Sequence, residues 1–181
     1  MANKSVKTNI LCEPQMDVPE GYIVLSGDLE HDSIVNGPGL RAVLWTQGCR
    51  QGCPGCQNPE TWAEKNAGVV VKIDKVKEEL RKLKGQSGIT FCGGEPLLQA
   101  KACLEIAKFC KEELGWNVWS FTGLVYEQIP HDSDAWKFVE ELDALIDGPF
   151  IQSQRDLTLK FRGSRNQRIL YLDHGKITKQ E

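Results

Sequence analysis

Three cysteines on one loop are the residues of this sequence best suited to chemistry. Residues 48–62 read GCRQGCPGCQNPETW, in which Cys49, Cys53 and Cys56 are separated by three and by two residues. The glycines and the proline between them disfavour both helix and strand. Three thiolates on such a loop can bind one side of a metal ion or of an iron–sulfur cluster.

The loop itself supplies no fourth ligand. Structural zinc normally takes four protein ligands in two paired knuckles, and the sequence has no second Cys-x2-Cys pair. A 4Fe–4S cluster held by three cysteines would leave one iron open to a substrate or a cofactor. Two alternatives remain open here: a zinc site or an electron-transfer cluster, either of them completed by Cys12 or Cys92.

Composition limits the classes of protein that need to be considered. The 181 residues carry 22 basic and 25 acidic side chains, and the formal charge of −3 argues against a general nucleic-acid binder. An odd number of cysteines, seven, without a secretion signal favours metal binding over a disulfide framework. No stretch approaches the ~18 apolar residues of a membrane span. We therefore expect a cytoplasmic protein that binds neither nucleic acid nor a membrane.

The order of predicted elements indicates a parallel sheet in an α/β domain. We expect a loosely ordered arm over residues 1–20 and a single domain over residues 21–181. In the 72–85 helix we expect Gly85 at the C-terminal cap, and in the next helix we expect Cys103 and Cys110 in the core. Strands are predicted at 21–29, 40–48, 87–96, 117–123, 144–150 and 168–172, and helices at 72–85, 99–115 and 134–145.

Ligands of parallel sheets bind beyond the carboxyl ends of the strands. The cysteine loop, the GGEP turn at 93–96, the FTG stretch at 121–123 and Asp147 each follow or end a predicted strand. We expect these groups to meet at one edge of the sheet. Glycines at a strand end let the backbone approach a ligand, and Glu95 can pair with an ammonium group.

The cysteine spacing, followed about forty residues later by GGE, resembles the signature of radical S-adenosylmethionine (SAM) enzymes. Several further stretches resemble the activating component of the class III anaerobic ribonucleotide reductase. This resemblance extends over roughly residues 22–172 and is carried by IVNGPGLR (34–41), CPGCQNPETW (53–62), WSFTG (119–123), ALIDGPF (144–150) and FRGSRNQRI (161–169).

The resemblance implies an incomplete parallel (β/α) barrel with two cofactors. One 4Fe–4S cluster would be bound by Cys49, Cys53 and Cys56, and its open iron would chelate the methionine part of SAM. Gly93, Gly94 and Glu95 would bind the SAM amino group, while Ser120 and Asp147 would lie at the ribose and methionine. No catalytic side chain is implied, because the cluster and SAM carry the chemistry.

The implied activity is reductive cleavage of SAM to a 5′-deoxyadenosyl radical, which generates a glycyl radical on the anaerobic reductase. The implied partners are a reductase subunit and an electron donor such as flavodoxin or ferredoxin. Gln57, Gly55, Cys92 and a longer N-terminal arm depart from the family pattern. Gln57, the altered surroundings of the GGE turn and the longer arm keep open an alternative: a small radical SAM enzyme that modifies a ribosomally made peptide.

A basic segment near the end of the sequence suggests how a partner could bind. It is either a solvated loop or a surface that orients an acidic partner. Residues 152–168 contain Arg155, Lys160, Arg162, Arg165 and Arg168, with Asp156 as the one acidic residue.

Overall fold

The computed structural model describes residues 16–181, and its centre is a mixed nine-stranded sheet. Residues 1–15 of the predicted 1–20 arm, which include Cys12, therefore lie outside the described residues. The strands are β1 (Tyr22–Leu25), β2 (Glu30–Ser33), β3 (Arg41–Thr46), β4 (Val69–Lys72), β5 (Gly88–Gly93), β6 (Asn117–Phe121), β7 (Ala144–Asp147), β8 (Arg168–Asp173) and β9 (Lys176–Gln180).

The sheet is parallel at its centre and antiparallel on both sides. Its order is β4-β1-β3-β5-β6-β7-β8-β9, with β2 paired to β3. Strands β3, β5, β6 and β7 run parallel, with Thr46 opposite Gly93 and Phe91 opposite Ser120. The sheet ends at β4 and β9 and does not close on itself, which confirms the prediction of an incomplete barrel. The carboxyl ends of the four parallel strands meet at one edge, as expected.

Three helices pack on one side of the sheet and bury most of the apolar core. They are α1 (Ile73–Lys82), α2 (Ala100–Glu112) and α3 (Asp134–Glu140). Cys103 and Cys110 on α2 are fully buried in this core, as the helical spacing predicted. None of the described helices combines the length and the apolar character needed to cross a membrane.

The opposite side of the sheet holds a smaller aromatic cluster and a buried cation. Trp119 packs edge-on against Phe161 and Tyr171. Arg41 is fully buried, and its Nη2 donates to the carbonyl oxygens of Ile89 at 2.6 Å and Asn117 at 3.1 Å. Burial lowers the pKa of Arg41 to about 10, so the guanidinium stays charged at neutral pH and ties three parallel strands together.

Several predicted boundaries differ from the structure. Helix α1 ends at Lys82 because Leu83 is already extended, so Gly85 lies beyond the cap and turns the chain with φ +88°. Helix α3 is shorter than the predicted 134–145, since Asp143 accepts a hydrogen bond from the Val118 N–H as the chain enters β7. Strands β2, β4 and β9 were not predicted.

Candidate active site

The cysteine loop leaves β3 and is closed by hydrogen bonds to its own far end. The Gln47 side-chain amide donates to the carbonyl oxygens of Glu60 and Ala63. The Gly48 N–H donates to the Thr61 carbonyl at 2.8 Å. Within the loop, the Cys56 N–H donates to the Cys53 carbonyl and forms a tight turn. The three cysteines are thus carried by one closed loop at the carboxyl edge of the sheet.

The GGE turn lies directly against this loop. The Gly94 N–H donates to the Thr46 carbonyl at 2.8 Å, and the Glu95 N–H donates to the Gly48 carbonyl at 2.7 Å. A Cβ on Gly94 would lie 2.3 Å from the Gly48 carbonyl oxygen, so only glycine permits this approach. Two motifs that are about forty residues apart in sequence are therefore hydrogen-bonded neighbours in the fold.

Glu95 is a fully buried carboxylate whose hydrogen-bond donors are neutral. Its oxygens accept from the Thr122 hydroxyl at 2.9 Å, the Gly123 N–H at 2.8 Å and the Leu97 N–H at 3.2 Å. Burial raises the pKa of Glu95 to about 7, although these hydrogen bonds oppose the shift. A ligand with an ammonium group would supply the positive charge that this carboxylate needs.

The cysteine loop and the GGE turn line one cavity of about 650 Å³. This volume lies within the ~300–1,000 Å³ range that is usual for small-molecule sites. The other walls come from the ends of β5 and β6, from the 30–36 segment and from the 148–167 segment. Residues lining the cavity include Cys49, Cys53, Cys56, Cys92, Glu95, Thr122, Phe150, Arg162 and Gln167.

Ser120 and Asp147 do not line this cavity, although their neighbours Phe121 and Gly148 do. The Ser120 hydroxyl is buried and donates to the Phe121 carbonyl at 3.1 Å. Asp147 is also buried and accepts from the Tyr126 N–H and from the Arg168 guanidinium. The structure therefore brings the cysteines and the GGE turn together, and it places the other two predicted residues in hydrogen bonds beside the cavity. Their roles toward SAM stay predictions.

Arg162 is a cavity residue that the sequence did not single out for ligand binding. Its Nε is buried and has no hydrogen-bond partner, while its Nη1 is 3.4 Å from the Gln167 carbonyl oxygen. An unpaired buried donor of a cation suits an anionic oxygen of a ligand. The signal in the sequence was the basic segment, but that pattern could not indicate which of its residues faces inward.

The GSRNQR stretch fixes the cavity wall that carries Arg162. The Gln167 side-chain oxygen accepts from the N–H groups of Gly163 and Ser164, and its amide donates to the Gly148 carbonyl. The Asn166 amide donates to the Pro149 carbonyl at 2.8 Å. This stretch therefore binds the 148–167 segment to the end of β7.

The donor set fits an iron–sulfur cluster. Burial raises the pKa of Cys49 to about 12, with Glu95 adding to the shift, and burial also raises the pKa of Cys53. Iron bound to the sulfurs would stabilise the thiolates that burial disfavours. Among the described residues, no three His, Cys, Asp or Glu side chains are grouped around a single metal ion. In a cluster each thiolate binds a different iron, so the thiols need not converge on one point.

Comparisons with known proteins show which family this chain resembles. A family model described as a 4Fe–4S single cluster domain matches residues 35–170. Relatives named anaerobic ribonucleoside-triphosphate reductase-activating protein include one from Escherichia coli K12, 33% identical over 77% of this chain and 93% of its own length. The Haemophilus influenzae relative of the same name is 35% identical, over 75% of this chain and 90% of its own length. QueE from Escherichia coli, a solved structure, has a TM-score of 0.47 and 15% identity, covering 56% of this chain and 52% of that chain.

Proposed function

We propose that this chain, which belongs to the family of the anaerobic ribonucleoside-triphosphate reductase-activating proteins, generates a glycyl radical on an anaerobic ribonucleotide reductase. It is a radical SAM enzyme with a 4Fe–4S cluster and SAM as cofactors. The observation that carries the proposal is the shared cavity of the three cysteines and the buried Glu95. The relatives described above give no support to the alternative of peptide maturation.

Within the cavity, each group of residues has a separate task. Cys49, Cys53 and Cys56 hold the cluster, which when bound supplies the electron that cleaves SAM. Glu95, together with the backbone of Gly93 and Gly94, binds and orients the ammonium group of SAM. The aromatic ring of Phe150 lines the cavity on its 148–167 side.

Ser120 and Asp147 complete the proposal at the border of the cavity. Each is one residue from a lining residue, and each lies at the carboxyl end of a central strand. They would support the ribose and the methionine ends of SAM by fixing β6 and β7.

We further propose a single domain over 21–181, a cytoplasmic location, and flavodoxin or ferredoxin as the electron donor.

The test is anaerobic reconstitution with iron and sulfide, followed by SAM, dithionite and a purified anaerobic ribonucleotide reductase. We expect 5′-deoxyadenosine in solution and a glycyl-radical EPR doublet on the reductase. Cys53→Ser should lose the cluster absorbance and both products, because a motif thiolate is missing. Cys92→Ser is the matched control, since this thiol lines the same cavity outside the motif, and it should keep the bound iron. Tightly bound zinc with no SAM cleavage would disprove the proposal.

A further inference from the structure

Large apolar side chains are exposed at the opening of the cavity. Among the described residues, six large hydrophobic side chains are exposed, and three of them line this cavity. Ile34 is 71% exposed, Val35 is 70% exposed and Leu157 is 80% exposed. The other three, Val69, Val70 and Ile177, lie on the outermost strands β4 and β9. Exposed apolar side chains that gather at one site mark a surface for a partner.

The backbone under Ile34 and Val35 is held in place from the inside. The Ser33 hydroxyl donates to the Asn36 side-chain oxygen at 2.7 Å, and the Thr90 hydroxyl donates to the Asn36 carbonyl at 2.7 Å. These bonds attach the 34–36 segment to β2 and β5 on both sides of the two apolar residues. The two side chains therefore remain directed outward, without collapsing onto the core.

Leu157, in the 148–167 segment, is held outward in a similar way. Next to it, Asp156 accepts from the Thr158 N–H at 2.9 Å and from the Arg165 Nε at 2.9 Å. The Asp156 N–H also donates to the Gly163 carbonyl at 3.2 Å. Leu157 is thus presented by a hydrogen-bonded turn, and a surface prepared in this way loses little entropy when a partner binds.

We propose that Ile34, Val35 and Leu157 form a docking site for the polypeptide segment that carries the target glycine. This inference rests on the proposed function. Because glycine has no side chain, the enzyme can bind such a segment only through its backbone or through the residues next to the glycine. Because Ile34, Val35 and Leu157 are apolar, we expect the side chains next to the glycine that pack against them to be apolar as well.

The test compares Ile34→Ser/Leu157→Ser with Val70→Ser/Ile177→Ser, a matched pair of apolar residues exposed at the sheet edges. The readout is the amplitude of the glycyl-radical EPR doublet as a function of the concentration of purified anaerobic ribonucleotide reductase. We expect the docking variant to need at least about tenfold more reductase for half-maximal signal, because burying one such side chain contributes roughly this factor. The signal at saturation should be retained, and the edge variant should behave as the wild type.

Each other outcome contradicts the docking site. An unchanged reductase dependence would show that the patch does not contact the substrate segment. Loss of SAM binding by the docking variant would assign these residues to the cofactor site. A changed sedimentation coefficient with unchanged reductase dependence would show that a second copy of the chain covers the patch. If the wild type gives no doublet, the proposed function fails and the docking site fails with it. Iron content and melting temperature verify that each variant folds. Val35→Ser provides an independent second variant.

Discussion

At the scale of single residues, Glu95 is a buried acid in the cavity, and burial raises its pKa to about 7. Its donors are two backbone N–H groups and the Thr122 hydroxyl, and together they offset only part of the cost of burial. The ammonium group of a bound ligand would offset the remaining cost of burying the carboxylate. In the ligand-free protein, this remaining cost makes the stability of the fold depend on pH.

We predict that the ligand-free protein loses stability as the pH rises from about 4.5 to about 7. The pKa of Glu95 is raised from 4.5 to about 7 in the folded chain. In this window the folded state keeps a proton that the unfolded state has lost, so the free energy of unfolding decreases as pH rises. The loss should be on the order of 3 kcal/mol, from urea unfolding at a series of pH values.

The comparison with Glu95→Gln isolates this effect. The substitution removes the titrating group, so the decrease between pH 4.5 and 7 should be largely absent, although a lost hydrogen bond will lower the stability at every pH. Glu79→Gln on the surface of α1 controls for the removal of one carboxylate from the chain. A decrease of the same size in wild type and Glu95→Gln would show that another group causes it.

The sequence predicted the residues of local motifs better than residues placed by distant contacts. The cysteines and the GGE turn were found because their spacing is visible in short stretches. Among the basic residues of 152–168, however, Arg165 pairs with Asp156 and Arg168 pairs with Asp147 and Glu127. Because Arg165 and Arg168 are paired within the chain, they are less available to bind an acidic partner. These ion pairs form only when the 148–167 segment is folded, so the sequence pattern could not indicate them.

At the scale of elements, the contact between the GGE turn and the cysteine loop builds the site. Backbone hydrogen bonds from Gly94 and Glu95 to Thr46 and Gly48 hold the two turns together. There is no room between them for a side chain at position 94. The geometry of the site therefore depends on the absence of a side chain at position 94.

Gly94→Ala should destabilise the protein by about 1–3 kcal/mol, because backbone atoms must move to admit the methyl group. The reconstituted variant should also retain less iron, since the cysteine loop shifts with the turn. Urea unfolding and iron analysis test the two effects. Gly27→Ala is the matched control, because a Cβ there would meet no atom within 4 Å. Equal stability and equal iron content in the two variants would contradict the importance of this contact.

Central elements were predicted and edge elements were not, for a physical reason. The central strands and the helices bury apolar faces, which leave a periodic pattern in the sequence. Strand β9 is exposed along its whole length, and β2 consists of the polar residues EHDS. Their pairing comes from neighbouring strands and from turns such as His174–Gly175, both with positive φ. In the sequence, the His174–Gly175 dipeptide was the feature that could have indicated a β-hairpin formed by β8 and β9.

At the scale of the whole molecule, the cavity joins segments that are far apart in the chain. Its walls include residues from 49–62, 92–95, 121–123 and 148–167, and these segments follow or end four different strands of the sheet. A ligand that contacts all four stabilises the fold as a whole. Binding should therefore be visible as a change in global stability and not only in activity.

SAM should raise the melting temperature of the reconstituted protein under anaerobic conditions. At a concentration one hundred times its Kd, binding contributes about 2.7 kcal/mol, which for a chain of this length corresponds to roughly 5–11 °C. 5′-Methylthioadenosine has the adenosine part of SAM without its ammonium and carboxylate groups, so it should give a much smaller shift. Glu95→Gln should reduce the shift with SAM and leave the shift with 5′-methylthioadenosine unchanged, because only SAM carries the cation that Glu95 needs. Equal shifts with the two compounds would mean that the buried carboxylate does not bind the ammonium group.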